Sequence, residues 1–310
     1  MAARKFTAQE LIKAVRDTGM VPNTGSTGTE DDDLLDYIDQ AIATILLPRV
    51  LAIREEFCLK RVRIPLVSGT ALYRVPHRAV YSKIRDVFYV DSDESREVLM
   101  KYAQEDVVHI RHDGALDDPE GFVMEGDYIH LLPDQNTSFS GYIEVIFYMR
   151  PSDMLKTTSA GVVSSVVGKV ITCTGDVSTL FSAGDKIDIH SPYSGADQKL
   201  WDLTVSTVNV ADVTVLEDID GTTYGTHAAA ALDYVVPAEM CAIPPLPRDL
   251  HNMIARAAAV YIAESIGDAQ AIQFHGALLN QNLNDCFKAM ENRVESKPMR
   301  ITGKNSFIGW

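Results

Sequence analysis

The 310-residue sequence lacks the short motifs that identify common enzyme classes. It contains no GxSxG, HExxH or CxxC motif, no GxGxxG at a strand–helix junction and no Walker loop. Its four cysteines are far apart and are predicted to be free buried thiols in a reduced compartment: Cys58, Cys173, Cys241 and Cys286. We therefore expect no enzyme, no cofactor and no metal site. A catalytic group built from residues distant in sequence stays open as an alternative.

Positive charge is also scarce. The chain has 28 Lys and Arg against 43 Asp and Glu, a formal net charge of −15 at pH 7. A protein that binds nucleic acid through phosphate contacts needs a basic surface, so such a binder is not expected. The composition is compatible with an acidic wall past which DNA moves, because carboxylates repel DNA phosphates and so prevent adhesion. No run of about 18 apolar residues and no signal peptide is found, so we expect no membrane span.

Helical periodicity is concentrated at the two ends of the chain. A short helix is predicted over 7–18, and a longer one over 30–57 carries an apolar stripe that Pro48 should kink. Two more amphipathic helices are predicted near the C-terminus, with a break at Gly267. Because these apolar faces need partners, we predict a helical bundle domain formed by residues 1–58 and 244–294.

Between the helices the hydrophobic pattern changes to a period of two. Residues 59–156 are predicted as an antiparallel β-rich portion, with a hairpin over 121–133 and a central strand over 141–151. Within this portion, residues 95–113 are predicted as a helix. Residues 157–236 have turn signals roughly every 8–12 residues and are predicted as an inserted small β-barrel or sandwich module. The predicted fold class is α+β.

Two sets of residues are candidates for binding. Basic residues concentrate in one region, which is predicted to face either a neighbouring subunit or DNA: Arg61, Arg63, Arg74, Arg78, Lys83 and Arg85. His109 and His112 have a spacing compatible with metal binding, but no third ligand follows at a standard spacing, so surface histidines are favoured.

The last residues, 295–310, are predicted to form an extended C-terminal arm. Pro298 and Gly303 interrupt any helix there. The arm nevertheless keeps large apolar residues, which disordered tails usually lack and which a docking peptide needs as anchors: Met299, Ile301, Phe307, Ile308 and Trp310. Docking into a partner is favoured, and packing on the chain's own domain is the alternative.

Several stretches resemble one protein family. RVPHRAVYSKIRDVFYVDS (74–92), GFVMEGDYIHLLPDQ (121–135) and IEVIFYMRPSDM (143–154) are similar to the β portion of head-to-tail adaptor (connector) proteins of tailed bacteriophages, especially short-tailed ones. IPPLPRDLHNMIARAAAVYIAESIGD (243–268) resembles the C-terminal helical stretch of the same proteins.

This resemblance implies a structural virion protein at the head–tail junction, assembled in the host cytoplasm. Such adaptors form a homo-oligomeric ring, usually a dodecamer, which joins the portal protein to the tail and lines the DNA ejection channel. The arm would dock on the portal, the body would meet tail tube, nozzle or tail fibre proteins, and DNA would only pass through. The alternative is a tail or baseplate protein whose β module binds carbohydrate.

Overall fold

The computed structural model describes residues 6–19, 29–53, 55–105, 118–133, 140–193, 195, 197–221, 225 and 227–291. None of the helices in these ranges combines the length and apolar character that a membrane span requires. The predicted arm lies outside the described residues, as do His109 and His112.

Helices occupy both ends of the described chain. In chain order they are α1 (Ala8–Gly19), α2 (Asp31–Ala41), α3 (Leu47–Ile53), α4 (His251–Ile266) and α5 (Ala269–Glu291). A π-helical turn, Ile42–Leu46, joins α2 to α3 immediately before Pro48. Since Pro48 has no N–H for the carbonyl four residues earlier, the hydrogen-bond ladder widens there. The disturbance expected at Pro48 therefore takes the form of a wide turn, and the helix continues beyond it.

The ends of the helices show why they begin and stop where they do. At the start of α1, Thr7 and Glu10 bond reciprocally: the Thr7 N–H donates to the Glu10 carboxylate at 3.1 Å and the Glu10 N–H donates to Thr7 Oγ1 at 3.4 Å. Glu30 and Asp33 form the same arrangement at the start of α2. Gly267 ends α4 with a φ of +79°, a conformation that suits glycine, and the chain reverses into α5.

Side chains from both ends of the chain share one hydrophobic cluster. Fully buried members from α1, α2, α4 and α5 include Leu11, Val15, Leu34, Ile38, Ile254, Ala257, Ala258 and Leu283. The small alanines of α4 permit close helix approach. Across the same contact, the hydroxyls of Thr44 and Tyr261 lie 2.6 Å apart. The terminal helices thus bury their apolar stripes against each other.

The middle of the chain is built from short strands. They are β1 (Leu59–Pro65), β2 (Leu72–Arg74), β3 (Ala79–Val90), β4 (Arg96–Val98), β5 (Met100–Lys101), β6 (Gly121–Glu125), β7 (Tyr128–Leu132), β8 (Tyr142–Met149), β9 (Asp153–Met154), β10 (Gly161–Val167), β11 (Val170–Cys173), β12 (Lys186–His190), β13 (Gln198–Asn209), β14 (Asp212–Val215), β15 (Tyr234–Pro237) and β16 (Met240–Cys241).

Strands β1 to β8 form two four-stranded sheets, ordered β1-β8-β3-β4 and β2-β7-β6-β5. The predicted central strand is β8, which pairs antiparallel with both β1 and β3. The predicted hairpin is β6–β7, with Gly126 at its turn. Phe147 of β8 and Ile129 of β7 meet in one buried cluster, so the two sheets face each other across a common core.

The helix predicted over 95–113 is wrong for the part that the structure describes. Residues 96–101 form β4 and β5, which lie at the edges of the two sheets. Val98 and Met100 are exposed while Leu99 between them is buried, which is the alternation of a strand. Pairing of Val98 with Phe88 on β3 outweighs the local helical propensity of this segment.

The remaining long strands close into a barrel in the order β10-β11-β14-β13-β12-β15. Of the two predicted architectures for this region, the barrel is therefore the one observed. Fully buried side chains fill its interior, among them Ile171, Ile187, Ile189 and Leu203. The mixed α+β class with a small barrel is confirmed.

Candidate interaction surfaces

The six predicted basic residues are distributed over different environments. Arg78 is buried, with 3% of its surface exposed. Arg63 and Arg85 pair with carboxylates of the same chain. Arg61 and Arg74 are exposed, and Lys83 lies over an aromatic ring. Most of these six cations therefore have an interaction partner within the chain.

Arg78 precedes β3 and joins the sheet to the barrel. Its guanidinium bonds Asp188 of β12 through two contacts, Nη1 to Oδ2 at 2.7 Å and Nη2 to Oδ1 at 3.0 Å. Nη2 also lies 2.9 Å from Oδ1 of Asp202 on β13. Arginine suits this position because its planar fork matches a carboxylate with two parallel bonds. The barrel is therefore held against the sheet by a buried ion pair.

Asp188 accepts further hydrogen bonds from neutral donors. These come from Gln198 Nε2 at 2.8 Å and from the backbone N–H groups of Asp202 and Glu239, each at 3.0 Å. The pKa of Asp188 is about 6, because burial raises it by more than Arg78 and the Asp202 N–H lower it. The carboxylate is therefore ionised at neutral pH, and its charge is balanced by Arg78.

Other buried polar groups surround this ion pair. The Nε2 of His190 lies 2.9 Å from the carbonyl of Met240, and burial lowers the pKa of this histidine to about 3. Burial raises the pKa of the nearby Cys241 thiol to about 12. A neutral imidazole and a protonated thiol, both inaccessible to solvent, fill structural roles at this junction.

The outer face of the first sheet carries a charge-balanced group. Glu144 of β8 is buried between Arg63 of β1, at 3.3 Å, and Arg96 of β4, at 2.7 Å. Arg85 contacts both Asp86 and Glu55, the latter just beyond α3. Because cations and carboxylates alternate on this face, no strong positive field arises from these residues.

A bulge in β3 presents a fully exposed aromatic ring. Residues 80–83 lie opposite the single residue Tyr148 in the pairing with β8. Tyr81 and Ser82 take φ values of +51° and +54°, which cost of order 1 kcal/mol each in residues other than glycine. Tyr81 is 97% exposed, while Lys83 Nζ lies 4.1 Å from the centre of the Tyr148 ring. Strain retained at an exposed tyrosine is typical of contact surfaces.

A cavity of about 250 Å³ lies between α2 and this bulge, and we call it the α2–β3 cavity. Ile42, Leu47 and Val80 form its apolar wall, and Asp39 and Asp153 lie at its polar edge. Both carboxylate oxygens of Asp39 accept from the Met154 N–H, at 2.9 and 3.0 Å. The pKa of Asp39 is raised to about 7, chiefly by burial and in smaller part by the negative charges of Asp153 and Asp36, against the lowering effect of the Met154 N–H.

Sequence reasoning missed these last features for identifiable reasons. Asp188 stands between Ile187 and Ile189 in a predicted strand, and its partner Arg78 is 110 residues away in the sequence. Tyr81 lies in a stretch with strand periodicity, so its sequence context gives no sign of the bulge that exposes it. Among the residues that the structure describes, no group of three or more His, Cys, Asp or Glu is arranged to hold a metal ion.

Comparison with known proteins places this architecture in a family. A family model described as SU10 adaptor protein matches residues 6–168, just over half of the chain. The match spans α1 to α3 and both sheets and ends at the first barrel strand, and no curated protein matches the sequence. The predicted resemblance to phage head–tail adaptors is thereby confirmed, and its restriction to short-tailed phages stays a prediction. The chain therefore belongs to the SU10 adaptor protein family and is a structural adaptor protein of a phage.

Proposed function

We propose that this chain is the head-to-tail adaptor of a short-tailed phage and assembles into a ring, a dodecamer, that joins the portal to the tail. DNA passes through the lumen of this ring during ejection. The observation that carries the proposal is the match to the SU10 adaptor protein family over residues 6–168.

The charge distribution supports a channel that DNA passes without adhesion. The chain carries a net charge of −15. Arg63, Arg78 and Arg85, three of the cations that were candidates for DNA contact, have carboxylate partners within the chain. Phosphate binding by Arg63, Arg78 or Arg85 would have to break these ion pairs, so these three serve the fold rather than DNA. The exposed Arg61 and Arg74 are left for contacts between subunits.

We assign a separate role to each part of the chain. The helices of 1–58 and 244–294 act as one bundle, which forms the ring body with the β portion, 59–156. The barrel module, 157–236, projects toward tail tube, nozzle or tail fibre proteins. Its surface includes exposed apolar side chains that such a contact would cover: Val167, Tyr193, Val210 and Leu216. The arm, 295–310, reaches the portal.

Electron microscopy of the purified full chain tests the ring directly. Negative-stain images and light scattering should show closed rings, alone or after addition of the portal protein. A protein that stays monomeric in both conditions would refute the proposal. Binding of the full chain to a glycan array would instead favour the tail or baseplate alternative with a carbohydrate-binding module.

Removal of the arm tests its role separately. A chain ending at residue 294 should lose co-sedimentation with the portal and keep its circular dichroism spectrum. Combined Phe307→Ala, Ile308→Ala and Trp310→Ala substitutions should have the same effect, because they remove the apolar anchors. Asn305→Ala with Ser306→Ala is the matched control and should bind normally. Undiminished binding by the truncated chain would show that the arm is not the portal contact.

A further inference from the structure

The α2–β3 cavity has the shape and chemistry of a receptor for a short peptide. Its volume, about 250 Å³, is below the range of sites for drug-sized ligands and suits one or two side chains. The wall formed by Ile42, Leu47 and Val80 is apolar, and the edge formed by Asp39 and Asp153 is acidic. An occupant with an apolar side chain next to a cation would match both surfaces.

Negative charge around the cavity exceeds what the described cations balance. Asp36, Asp39 and Asp153 repel one another, and Glu239 adds to the charge around Asp153. Arg150 is the cation in this wall; it lies 3.6 Å from Glu239 and also lowers the pKa of Asp153, so one cation faces four carboxylates. Burial is the main cause of the raised pKa of Asp39 and of Asp153, and this repulsion adds to it. A bound cation would relieve it.

The exposed ring of Tyr81 completes the rim. It stands at the mouth of the cavity on the bulge of β3, where strained backbone holds it away from the core. Tyrosine supplies a large contact area at a low entropic cost and offers its face to a cation. A peptide in the cavity would cover this ring.

The segment after α5 is the matching occupant. Residues 292–310, which lie outside the described residues, carry four cations and one acid. Met299, Arg300 and Ile301 place a cation directly between two apolar side chains. A polar stretch, 302–306, then separates this group from the apolar residues at the end of the chain.

The length of chain is sufficient for this contact. Arg49 Nη2 donates to Asn280 Oδ1 at 3.2 Å, so the middle of α5 lies beside α3, two residues from Leu47 in the cavity wall. From Asn280 the helix runs about 16 Å to its end at Glu291, which places that end within roughly 30 Å of the cavity. The nine residues from Glu291 to Arg300 span about 30 Å when extended.

We propose that Met299, Arg300 and Ile301 bind in the α2–β3 cavity of their own chain. Arg300 meets the carboxylates of Asp39 and Asp153, and an apolar neighbour packs on the wall beneath Tyr81. The arm is thereby divided, because its first apolar group attaches to the adaptor body and leaves Phe307, Ile308 and Trp310 to engage a partner. Only this last clause rests on the proposed function.

Photocrosslinking in the full chain tests the contact. A benzoyl-phenylalanine introduced at Tyr81, where the side chain is fully exposed, should crosslink on illumination to residues 299–301, as identified by mass spectrometry. The same group at Tyr193, exposed on the barrel loop, is the matched control and should give no such product. Crosslinks from position 81 that avoid 299–301, or none at all, would overturn the proposal.

A charge variant and isotope labelling sharpen the result. Arg300→Glu should lower the crosslink yield roughly tenfold or more, because it places like charges together, whereas Lys304→Glu beyond the cavity should change it little. In a mixture of ¹⁴N- and ¹⁵N-labelled protein, products that join light to heavy chains would refute binding within one chain. If the protein forms rings but does not give this crosslink, the binding of residues 299–301 in the cavity is wrong and the adaptor ring stands. If the crosslink forms in a protein that does not assemble into rings, the adaptor ring is wrong and the binding of residues 299–301 stands.

Discussion

Replacement of Arg78 by methionine should destabilise the protein strongly and specifically at the junction between sheet and barrel. Methionine has a comparable length and fills the space of the arginine stem, so that the change removes the charge and the hydrogen bonds more than the packing. What remains is Asp188, with no exposed surface, next to Asp202. A fully buried carboxylate and a partly exposed one would then lie together without the arginine.

The size of the effect follows from the geometry. Arg78 makes two bonds to Asp188 and one to Asp202, all between 2.7 and 3.0 Å. Removal of one partner from such a buried pair costs about 3–5 kcal/mol. Three neutral donors still bond Asp188, so the lower half of that range is expected. Even about 3 kcal/mol is a large fraction of the 5–15 kcal/mol that typically separates folded from unfolded protein.

Urea unfolding at fixed protein concentration provides the assay. In a Trp310→Phe background, Trp201 is the single tryptophan, and it is buried beside Asp202, so its fluorescence reports on this junction. Arg61→Ala is the control, since Arg61 is exposed, and it should change the free energy of unfolding by less than about 0.5 kcal/mol. Adding Asp188→Asn to Arg78→Met should restore a substantial part of the lost free energy of unfolding, because the asparagine removes the unpaired charge and keeps a hydrogen-bond acceptor.

Two results would show that the reasoning is wrong. If Arg78→Met and Arg61→Ala had equal effects, the buried ion pair would contribute nothing that an exposed arginine does not. If the effects of Arg78→Met and Asp188→Asn simply added, the two residues would be energetically independent despite their contact.

Three further predictions concern other parts of the fold. In a chain that ends at residue 294 and so lacks Arg300, the pKa of Asp39 is raised from about 3.8 to about 7, chiefly by burial, so folding favours its protonated form. The stability that Asp39 contributes is complete below pH 4 and declines by up to about 4 kcal/mol as the pH rises through 7. Asp39→Asn should flatten this decline in melts between pH 4 and 8, and an unchanged slope would contradict it. Gly195→Ala should lower the free energy of unfolding by about 2 kcal/mol or more, since the new Cβ would overlap the carbonyl of Ile243. Gly168→Ala is the control: its Cβ meets open space, and it should cost only about 1 kcal/mol for its positive φ. Equal losses of stability in the two variants would exclude the overlap. Ile38→Ala should accelerate hydrogen exchange in α4 as well as α2, because the two helices share one cluster, and an effect confined to α2 would show that they open independently.

The sequence predicted those elements whose burial pattern is local. Alternation identified the β6–β7 hairpin and the central strand β8, and the position of Gly267 marked the boundary between the last two helices. Regular turn signals between 157 and 236 likewise indicated a small β-barrel or sandwich. In each case the residues that determine the element lie within it.

Features that depend on distant partners could not be predicted in the same way. The segment containing β4 is stabilised by pairing with β3, which a helical propensity estimate does not include. Arg78 was grouped with the surface cations because only its neighbours in sequence were visible, whereas Asp188 determines its burial. The α2–β3 cavity draws its lining from three separated segments, around residues 42, 80 and 152. Such sites arise from topology, not from a motif.

The parallel pairing of β9 with β16 has a consequence for how the barrel module can vary. Asp153 and Met240 are direct partners in this ladder, so the chain leaves for the barrel and returns from it about 5 Å apart. Because the two strands are parallel, a crossover of about a dozen residues is needed to join them, and closing so short a gap costs little entropy. The barrel can thus be exchanged for another module without rerouting the rest of the chain, but any replacement would have to provide again a carboxylate for Arg78 and the side chain that Trp201 adds to the core of the sheets.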